Sequence, residues 1–279
     1  MAAGIHPAET VRRSVAAFRG QDARGHGFPA PRNRSRLGST DLASFQPPQG
    51  FRMLLSQTHS FAFVHVPKTA GSSVNVALGR HAVCVDDYWA NRWLDRIGIP
   101  VNRFAPWPYT KFRPHASAAV LRAWLPRDVF DSLFKFAFVR NPWDLLVSYW
   151  HYLRSKPGHR RGGIARSLPN FAAYVEYEIR RGQFSQSSLL CDREGRLLVD
   201  FVGRYESLPS DFAFICRRIG IEASLPRVNA GIRDDYRDYY PPALAAQVGD
   251  AFAADVERFG YAFDDGVRAA PRAAFGRAA

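Results

Sequence analysis

The sequence predicts an α/β fold, a single domain in which a central parallel sheet is flanked by helices. Two short apolar runs, Phe61–Pro67 and Phe136–Val139, are rich in aromatic and β-branched residues, as buried parallel strands are. Each run is followed by a segment in which apolar residues recur at helical spacing. Strands that alternate with helices are typical of parallel sheets. With 279 residues, 47% of them hydrophobic, the chain can form a core of native size.

The first strand–helix unit opens the predicted domain. Strand Phe61–Pro67 stops at a proline, and the helix Gly71–Leu78 follows at once. A strand at Ala82–Val85 and a helix at Ala116–Trp124 are predicted before the second unit. The turn before Gly71 therefore lies at the carboxyl end of a parallel strand, where open α/β sheets bind ligands.

The second unit has a clear helix start. Asn141 suits the N-cap, Pro142 suits the first helical position, and Asp144 complements the positive end of the helix dipole. Beyond it, three helices and a hairpin are predicted: Phe171–Arg181, a hairpin about Asp192–Gly195, Ser210–Ile219 and Pro242–Phe259.

Composition separates the folded part of the chain from its ends. Residues 1–50 are predicted to be a flexible basic segment, residues 51–266 the folded domain, and residues 267–279 a flexible tail. No apolar run approaches the ~20 residues of a membrane helix, and no signal peptide is evident. We therefore expect a cytoplasmic protein without a transmembrane segment. The three cysteines lack CxxC spacing, which excludes a disulfide framework and a cysteine-rich zinc site.

The net charge of +13 favours an anionic partner, such as nucleic acid, a nucleotide, an acidic polymer or a membrane surface. A soluble basic surface without a specific partner explains the same surplus. The charge by itself selects none of these.

The turn Lys68–Ser73 suits a phosphate. The following helix offers unpaired N–H groups and a partial positive charge at its start. Lys68 supplies a mobile cation, and Gly71 lets the backbone approach a ligand closely. Further hydroxyl donors are Thr69, Ser72 and Ser73. An ordinary turn whose Ser and Thr residues cap the helix is the alternative.

The second strand ends in Arg140, at the ligand-binding edge of such a sheet. Ser148 follows about two helical turns later, so a guanidinium and a hydroxyl can converge on one phosphate. The alternative is an ion pair between Arg140 and Asp144, with a local helix bond for Ser148. An ordinary ATPase or kinase is disfavoured, because Lys68 precedes the glycine of its turn and Arg140 stands where a magnesium-binding Asp is expected.

Together, the two segments resemble a known family. HVPKTAGSS (residues 65–73) and FAFVRNPWDLLVSYW (residues 136–150) are similar to the 5′-phosphosulfate loop and the 3′-phosphate motif of sulfotransferases that use 3′-phosphoadenosine 5′-phosphosulfate (PAPS). The resemblance is greatest to carbohydrate sulfotransferase family 2, which contains heparan 2-O and chondroitin 4-O enzymes and bacterial relatives. Less specific similar motifs follow: Phe201–Leu208, Asp235–Tyr240 and Asp255–Tyr261.

The resemblance implies a P-loop-like sulfotransferase fold and transfer of a sulfuryl group from PAPS to an acceptor hydroxyl, with a carbohydrate as the expected acceptor. It implies that Arg140 and Ser148 bind the 3′-phosphate and that Lys68 stabilises charge on the departing phosphate. Neither a metal nor a nucleic-acid partner is expected, and the oligomeric state is not indicated. The residues implied at the 5′-phosphosulfate are Lys68, Thr69, Ala70, Gly71, Ser72 and Ser73.

The acceptor hydroxyl needs a general base, for which His115 is the candidate. It lies 47 residues after Lys68, directly before a predicted helix, in the region where the base of this family falls. Capping or packing at the helix start is the alternative for His115, and Asp86 or Asp87 is the alternative base. His65 lies within a strand and is interpreted as a core or supporting residue.

Two other function classes are weighed. A nucleotide phosphotransferase would bind ATP with magnesium, and a non-catalytic nucleotide- or polyanion-binding protein of the same fold would bind its ligand in a salt-sensitive way and release no product. Arg227–Arg237 are candidates for contacts to the nucleotide or to an acidic acceptor, with surface salt bridging as the alternative. Glu206 is interpreted as a surface salt-bridge residue.

Overall fold

A four-stranded mixed sheet lies at the centre of the fold. The computed structural model describes residues 53–56, 58–82, 114–182, 185–226 and 234–264. The strands are β1 (Leu54–Ser56), β2 (Phe61–Val64), β3 (Phe134–Val139) and β4 (Phe201–Arg204), in the order β1-β2-β3-β4. The pairs β2–β3 and β3–β4 are parallel, which confirms the predicted fold class. The edge strand β1 runs antiparallel to β2, which the sequence did not predict.

Ten α-helices occur in the described part of the chain. They are α1 (Gly71–Leu78), α2 (Ala118–Trp124), α3 (Arg127–Ser132), α4 (Pro142–Ser155), α5 (Gly162–Ser167), α6 (Phe171–Arg181), α7 (Ser187–Leu190), α8 (Leu208–Ile219), α9 (Pro242–Ala251) and α10 (Ala253–Phe259). Two 3₁₀ turns, Gly79–His81 and Tyr236–Tyr239, accompany them. None of these helices combines the length and the apolar character that a bilayer span requires.

The predicted helices agree with α1 and α6 at both ends. The helix predicted at Pro242–Phe259 is divided into α9 and α10 at Phe252, so the prediction of one continuous helix was wrong. Around the predicted hairpin, Cys191 and Leu197 form a single antiparallel bridge instead of a pair of strands. The predictions for residues 1–50, 83–85 and 267–279 lie outside the described residues.

The alternation of side chains along β3 explains why helices cover both faces of the sheet. Phe136 and Phe138 point to one face, where they pack with residues of α1 and α8. Ala137 and Val139 point to the other face, where they pack with residues of α4, α6 and α9. All four side chains are fully buried, so the strand reads as a continuous apolar run.

The pairing of β2 with β3 places the two predicted phosphate-binding segments side by side. Val64, the last residue of β2, is opposite Ala137 in parallel register. Both strands therefore end at the same edge of the sheet, and each continues through a short turn into a helix. Ligands of open α/β sheets bind at this edge.

Candidate functional site

The turn between β2 and α1 has an unusual backbone. Lys68 and Ala70 both adopt positive φ, 68° and 67°. A non-glycine residue in the left-handed region costs ~1–3 kcal/mol, which the surrounding structure must offset, and such residues cluster at ligand sites. Ala70 is the N-cap of α1 and offers no side-chain acceptor to the first turn of the helix. The turn therefore presents a helix N-terminus without a capping side chain, which suits an anion.

The hydroxyl groups of the turn differ in their exposure. Thr69 is completely buried, and its Oγ1 donates to the Val66 carbonyl at 2.8 Å. In this structure, the Thr69 hydroxyl stabilises the turn. Ser73 is buried and Ser72 is half-buried, both in the first turn of α1. The predicted hydrogen bonds from these hydroxyls to a phosphate stay predictions.

The start of α1 requires a glycine because His65 occupies the space beside it. A Cβ atom on Gly71 would lie 1.7 Å from His65 Nε2. The His65 ring is buried and stacks on Phe63 with ring centroids 5.6 Å apart. Burial, with a smaller contribution from His115, lowers the pKa of His65 to about 3. His65 is therefore neutral near pH 7 and supports the turn, which agrees with its interpretation from the sequence as a core or supporting residue.

His115 lies beside the same turn although it is 50 residues from His65 in sequence. Its Nδ1 is 3.1 Å from the His65 carbonyl oxygen, and the two imidazole rings are 4.5 Å apart between centroids. The side chain is exposed. Ser117, not His115, caps α2 by accepting a hydrogen bond from the Val120 amide at 3.3 Å. The alternative bases Asp86 and Asp87 lie outside the described residues.

Arg140 connects the second segment to the first. Its Nε donates to Asp144 at 2.7 Å, which is the ion pair that the sequence offered as the alternative to ligand binding. Its Nη1 donates to the Lys68 carbonyl at 3.1 Å. The guanidinium also lies 3.8 Å from the centroid of the Tyr205 ring. The ion pair and the contact with the first segment coexist, so Arg140 is held between the two turns.

One row of side chains along α4 faces both segments. Asp144, Ser148 and Tyr152 are spaced four residues apart, so they share a face of the helix at intervals of ~6 Å along its axis. Arg140 pairs with Asp144 at one end, and Lys68 Nζ lies 4.1 Å from the centroid of the Tyr152 ring at the other. Ser148 is half-buried between them, and no hydrogen bond to it is seen within the described ranges.

The residues that fix the second segment were missed by the sequence interpretation. Gln186 hydrogen-bonds both the N–H and the C=O of Arg140, at 2.9 and 2.8 Å. Glu206 accepts from the backbone N–H of Asn141 at 2.7 Å and from the Tyr261 hydroxyl at 3.1 Å. Burial raises the pKa of Glu206. The interpretation of Glu206 as a surface salt-bridge residue was wrong, because its partners are an amide and a hydroxyl.

The remaining features are His151, Arg233 and a possible metal site. His151 is exposed and lies 2.8 Å from the Tyr239 hydroxyl. Residues 227–233 lie outside the described part of the chain, so no contact of Arg233 is described. In the described ranges, no group of three or more His, Cys, Asp or Glu side chains is arranged to hold a metal ion.

Comparisons with known proteins identify the family. Residues 51–262 match the sequence model of the sulfotransferase family, Sulfotransfer_2. An uncharacterized protein of Archaeoglobus fulgidus is 29% identical over 121 residues, which are 41% of this chain and 96% of that protein. A crystal structure of mouse sulfotransferase SULT7A1 complexed with PAP aligns with a TM-score of 0.43 and 15% identity, over 73% of this chain and 86% of that one. On the match to the family's sequence model, which covers most of its length, the chain belongs to the sulfotransferase family and is a PAPS-dependent sulfotransferase.

Proposed function

We propose that this enzyme transfers the sulfuryl group of PAPS to a hydroxyl of a carbohydrate that carries negative charge. The turn Lys68–Ser73 binds the 5′-phosphosulfate, and Arg140 with Ser148 binds the 3′-phosphate. The catalytic domain spans residues 51–266, and its expected location is the cytoplasm. The groups proposed to contact the nucleotide are nitrogen and hydroxyl donors, which suit an anionic ligand.

The observation that carries this proposal is the 3.1 Å hydrogen bond from Arg140 Nη1 to the Lys68 carbonyl. It joins two segments that are 72 residues apart in sequence. One ligand with phosphates at both ends can contact both segments only if they lie this close together. The half-buried Ser148, between the positions that Arg140 and Lys68 contact, supports the same binding mode.

Lys68 is the group proposed to stabilise charge during transfer. The acceptor oxygen forms a bond to sulfur while the bond from sulfur to the phosphate oxygen breaks, so negative charge develops on the departing phosphate. An ammonium group placed there stabilises the charge as it forms. The Lys68 ammonium lies against the Tyr152 ring, a cation–π contact that holds it at the edge of the turn.

His115 is proposed to accept the proton of the acceptor hydroxyl. The side chain is exposed, so an acceptor molecule can reach it, and the His65 carbonyl at 3.1 Å fixes Nδ1. If Nδ1 carries the proton and donates to that carbonyl, Nε2 is free of a proton and serves as the base. His65 itself is unsuited to this role because its ring is buried against the start of α1.

The charge of the acceptor is inferred from the basic segment, residues 154–166, at the end of α4. Residues 145–175 contain no Asp or Glu. Within the described residues, four exposed side chains of the segment form no ion pair: Arg154, Lys156, Arg160 and Arg166. The segment adjoins Lys68 through Tyr152, whose ring is 5.7 Å from the His159 ring between centroids. Unpaired cations beside the reacting end of the donor favour an anionic acceptor.

The test is transfer of labelled sulfate from PAPS to matched pairs of oligosaccharides, one neutral and one carboxylated or sulfated. We expect turnover with the charged member of each pair and a KM that rises with ionic strength. A double variant, Lys156→Gln with Arg160→Gln, should raise the KM for the charged acceptor about tenfold, while the KM for PAPS stays unchanged.

Arg127→Gln is the matched control, because Arg127 is an exposed arginine of α3, which leads into the start of β3, whereas the proposed site lies at the carboxyl ends of β2 and β3. It should leave both KM values unchanged. Equal turnover of neutral and charged acceptors would refute the charge of the acceptor, and magnesium-dependent hydrolysis of ATP without sulfate transfer would refute the proposed reaction.

A further inference from the structure

Gln186, directly before α7, is bound to the backbone of the predicted 3′-phosphate arginine. Its side chain is buried, with only 2% of the residue exposed. Its Oε1 accepts from the Arg140 N–H at 2.9 Å, and its Nε2 donates to the Arg140 carbonyl at 2.8 Å. A primary amide that pairs with both groups of one residue reproduces the hydrogen bonding of an adjacent strand. The Gln186 side chain therefore satisfies both backbone groups of Arg140, the residue that directly follows β3.

Gln186 is in turn held by a buried carboxylate of α10. Asp255 Oδ2 accepts from the backbone N–H of Gln186 at 2.7 Å, and Oδ1 accepts from the backbone N–H of Ser187 at 2.8 Å. The Ser185 hydroxyl donates to Oδ1 as well, at 3.3 Å. Asp255 is 1% exposed, so these bonds are shielded from water. The position of the Gln186 side chain is therefore fixed by the C-terminal part of the fold.

We propose that Gln186 is a positioning residue for the donor nucleotide: by holding the Arg140 backbone, it sets the place of the guanidinium at the 3′-phosphate. The guanidinium already spans from Asp144 to the Lys68 carbonyl, so a rotation of the Arg140 peptide would break both contacts. This inference rests on the proposed function, because it takes Arg140 as a ligand of the nucleotide.

Replacement of the amide by an apolar isostere tests the inference. Gln186→Met removes both hydrogen bonds and keeps the volume of the side chain. We expect the Kd for the product nucleotide PAP, measured by calorimetry, and the KM for PAPS to rise about tenfold, while kcat at saturating PAPS changes less than twofold. The acceptor chemistry at Lys68 and His115 does not involve Gln186.

Gln186→Glu gives a readout that a purely structural role would not produce. A protonated carboxylic acid has one donor and one acceptor, like the amide, whereas a carboxylate accepts only. The ratio of the variant's Kd for PAP to that of the wild type should therefore be near one at acidic pH and should rise as the glutamate ionises. Arg140 and Asp255 are charged residues that hydrogen-bond Gln186, and both are present in wild type and variant alike.

The control is Asp200→Asn at the opposite end of β3. Asp200 accepts from the Lys135 amide at 2.7 Å and pairs with its ammonium at 2.8 Å, so its loss lowers stability far from the turns. It should lower the melting temperature without changing the Kd for PAP. The inference is overturned if both Gln186 variants bind PAP like the wild type at every pH, or if Asp200→Asn weakens binding equally.

Arg140→Ala separates this result from the proposed function. If Arg140→Ala binds PAP as the wild type does, Arg140 is not a nucleotide ligand, and both the proposed site and the inference fail. If Arg140→Ala weakens binding and the Gln186 variants do not, the proposed site stands and only the role of Gln186 is refuted.

Discussion

The turns after β2 and β3 are two neighbouring parts of one proposed site, and they are built differently. The turn after β2 is shaped mainly by neighbouring residues: Lys68 and Ala70 adopt positive φ, and the Thr69 hydroxyl donates to the Val66 carbonyl. The turn after β3 is held by side chains from distant parts of the chain, including Gln186, which is 46 residues from Arg140. The first turn is a local structure under backbone strain, whereas the second is an assembled structure that depends on the whole fold.

This difference separates two tasks. In the proposed site, the local turn contributes an ammonium and a helix N-terminus, groups that can stabilise charge as it develops. The assembled turn holds a guanidinium between fixed partners, which suits the binding of a group that does not change during the reaction. Substitutions in the first turn should therefore act mainly on kcat, and those in the second mainly on affinity for the nucleotide.

The largest expected effect is on the local turn. Lys68→Ala removes the ammonium group that we propose stabilises the departing phosphate, and kcat for sulfate transfer should fall about 10³-fold. The Kd for PAP should rise much less, because the proposed site keeps Arg140 and the helix N-terminus as phosphate ligands. Lys68→Arg, which retains the positive charge, should recover part of kcat. An equal loss in kcat and in affinity for PAP would remove the distinction between the two turns.

The second effect concerns His115, which approaches the local turn from the segment directly before α2. His115→Ala should lower kcat about 300-fold, since a positioned general base contributes about 10²- to 10⁴-fold. The Kd for PAP should stay within twofold of the wild type. His151→Ala, an exposed histidine of α4, is the control and should retain full turnover. Normal turnover by His115→Ala would exclude it as the base and leave the acceptor proton to another group.

The third effect tests the assembled turn. Arg140→Ala should raise the Kd for PAP about 100-fold, because hydrogen bonds to charged groups contribute about 1.5–3 kcal/mol each. The kcat at saturating PAPS should change less than tenfold. The substitution also removes the buried ion pair between Arg140 and Asp144, so the melting temperature must be measured beside the affinity. A loss confined to kcat would reverse the assignment of the two turns.

The smallest effect is one of stability in the local turn. Gly71→Ala places a Cβ atom 1.7 Å from His65 Nε2, and it should lower the free energy of unfolding by ~2 kcal/mol through overpacking. Gly79→Ala is the matched control, because a Cβ atom there meets nothing within 4 Å. Denaturant unfolding of both variants measures the difference. Equal stabilities would mean that the His65 ring moves aside freely and does not require a glycine at this position.

The sequence by itself determined the two strand–turn–helix units and the residues at their junctions. Periodicity predicted α1 with its observed bounds, capping residues predicted the start of α4, and position at the strand ends selected Lys68 and Arg140. These features depend on neighbouring residues, since strand ends, caps and helix starts are set by short-range sterics and hydrogen bonds. The family resemblance followed from the same two local motifs.

Only the tertiary structure decided which distant groups meet these junctions. Nothing in the sequence around Gln186 or Asp255 indicates a partner 46 or 69 residues away. In the sequence, a buried amide or carboxylate cannot be distinguished from an exposed one, because its burial depends on the fold. The antiparallel pairing of β1 and the approach of His115 to His65 were decided in the same way. Such contacts depend on the packing of whole helices against the sheet, which local propensity does not encode.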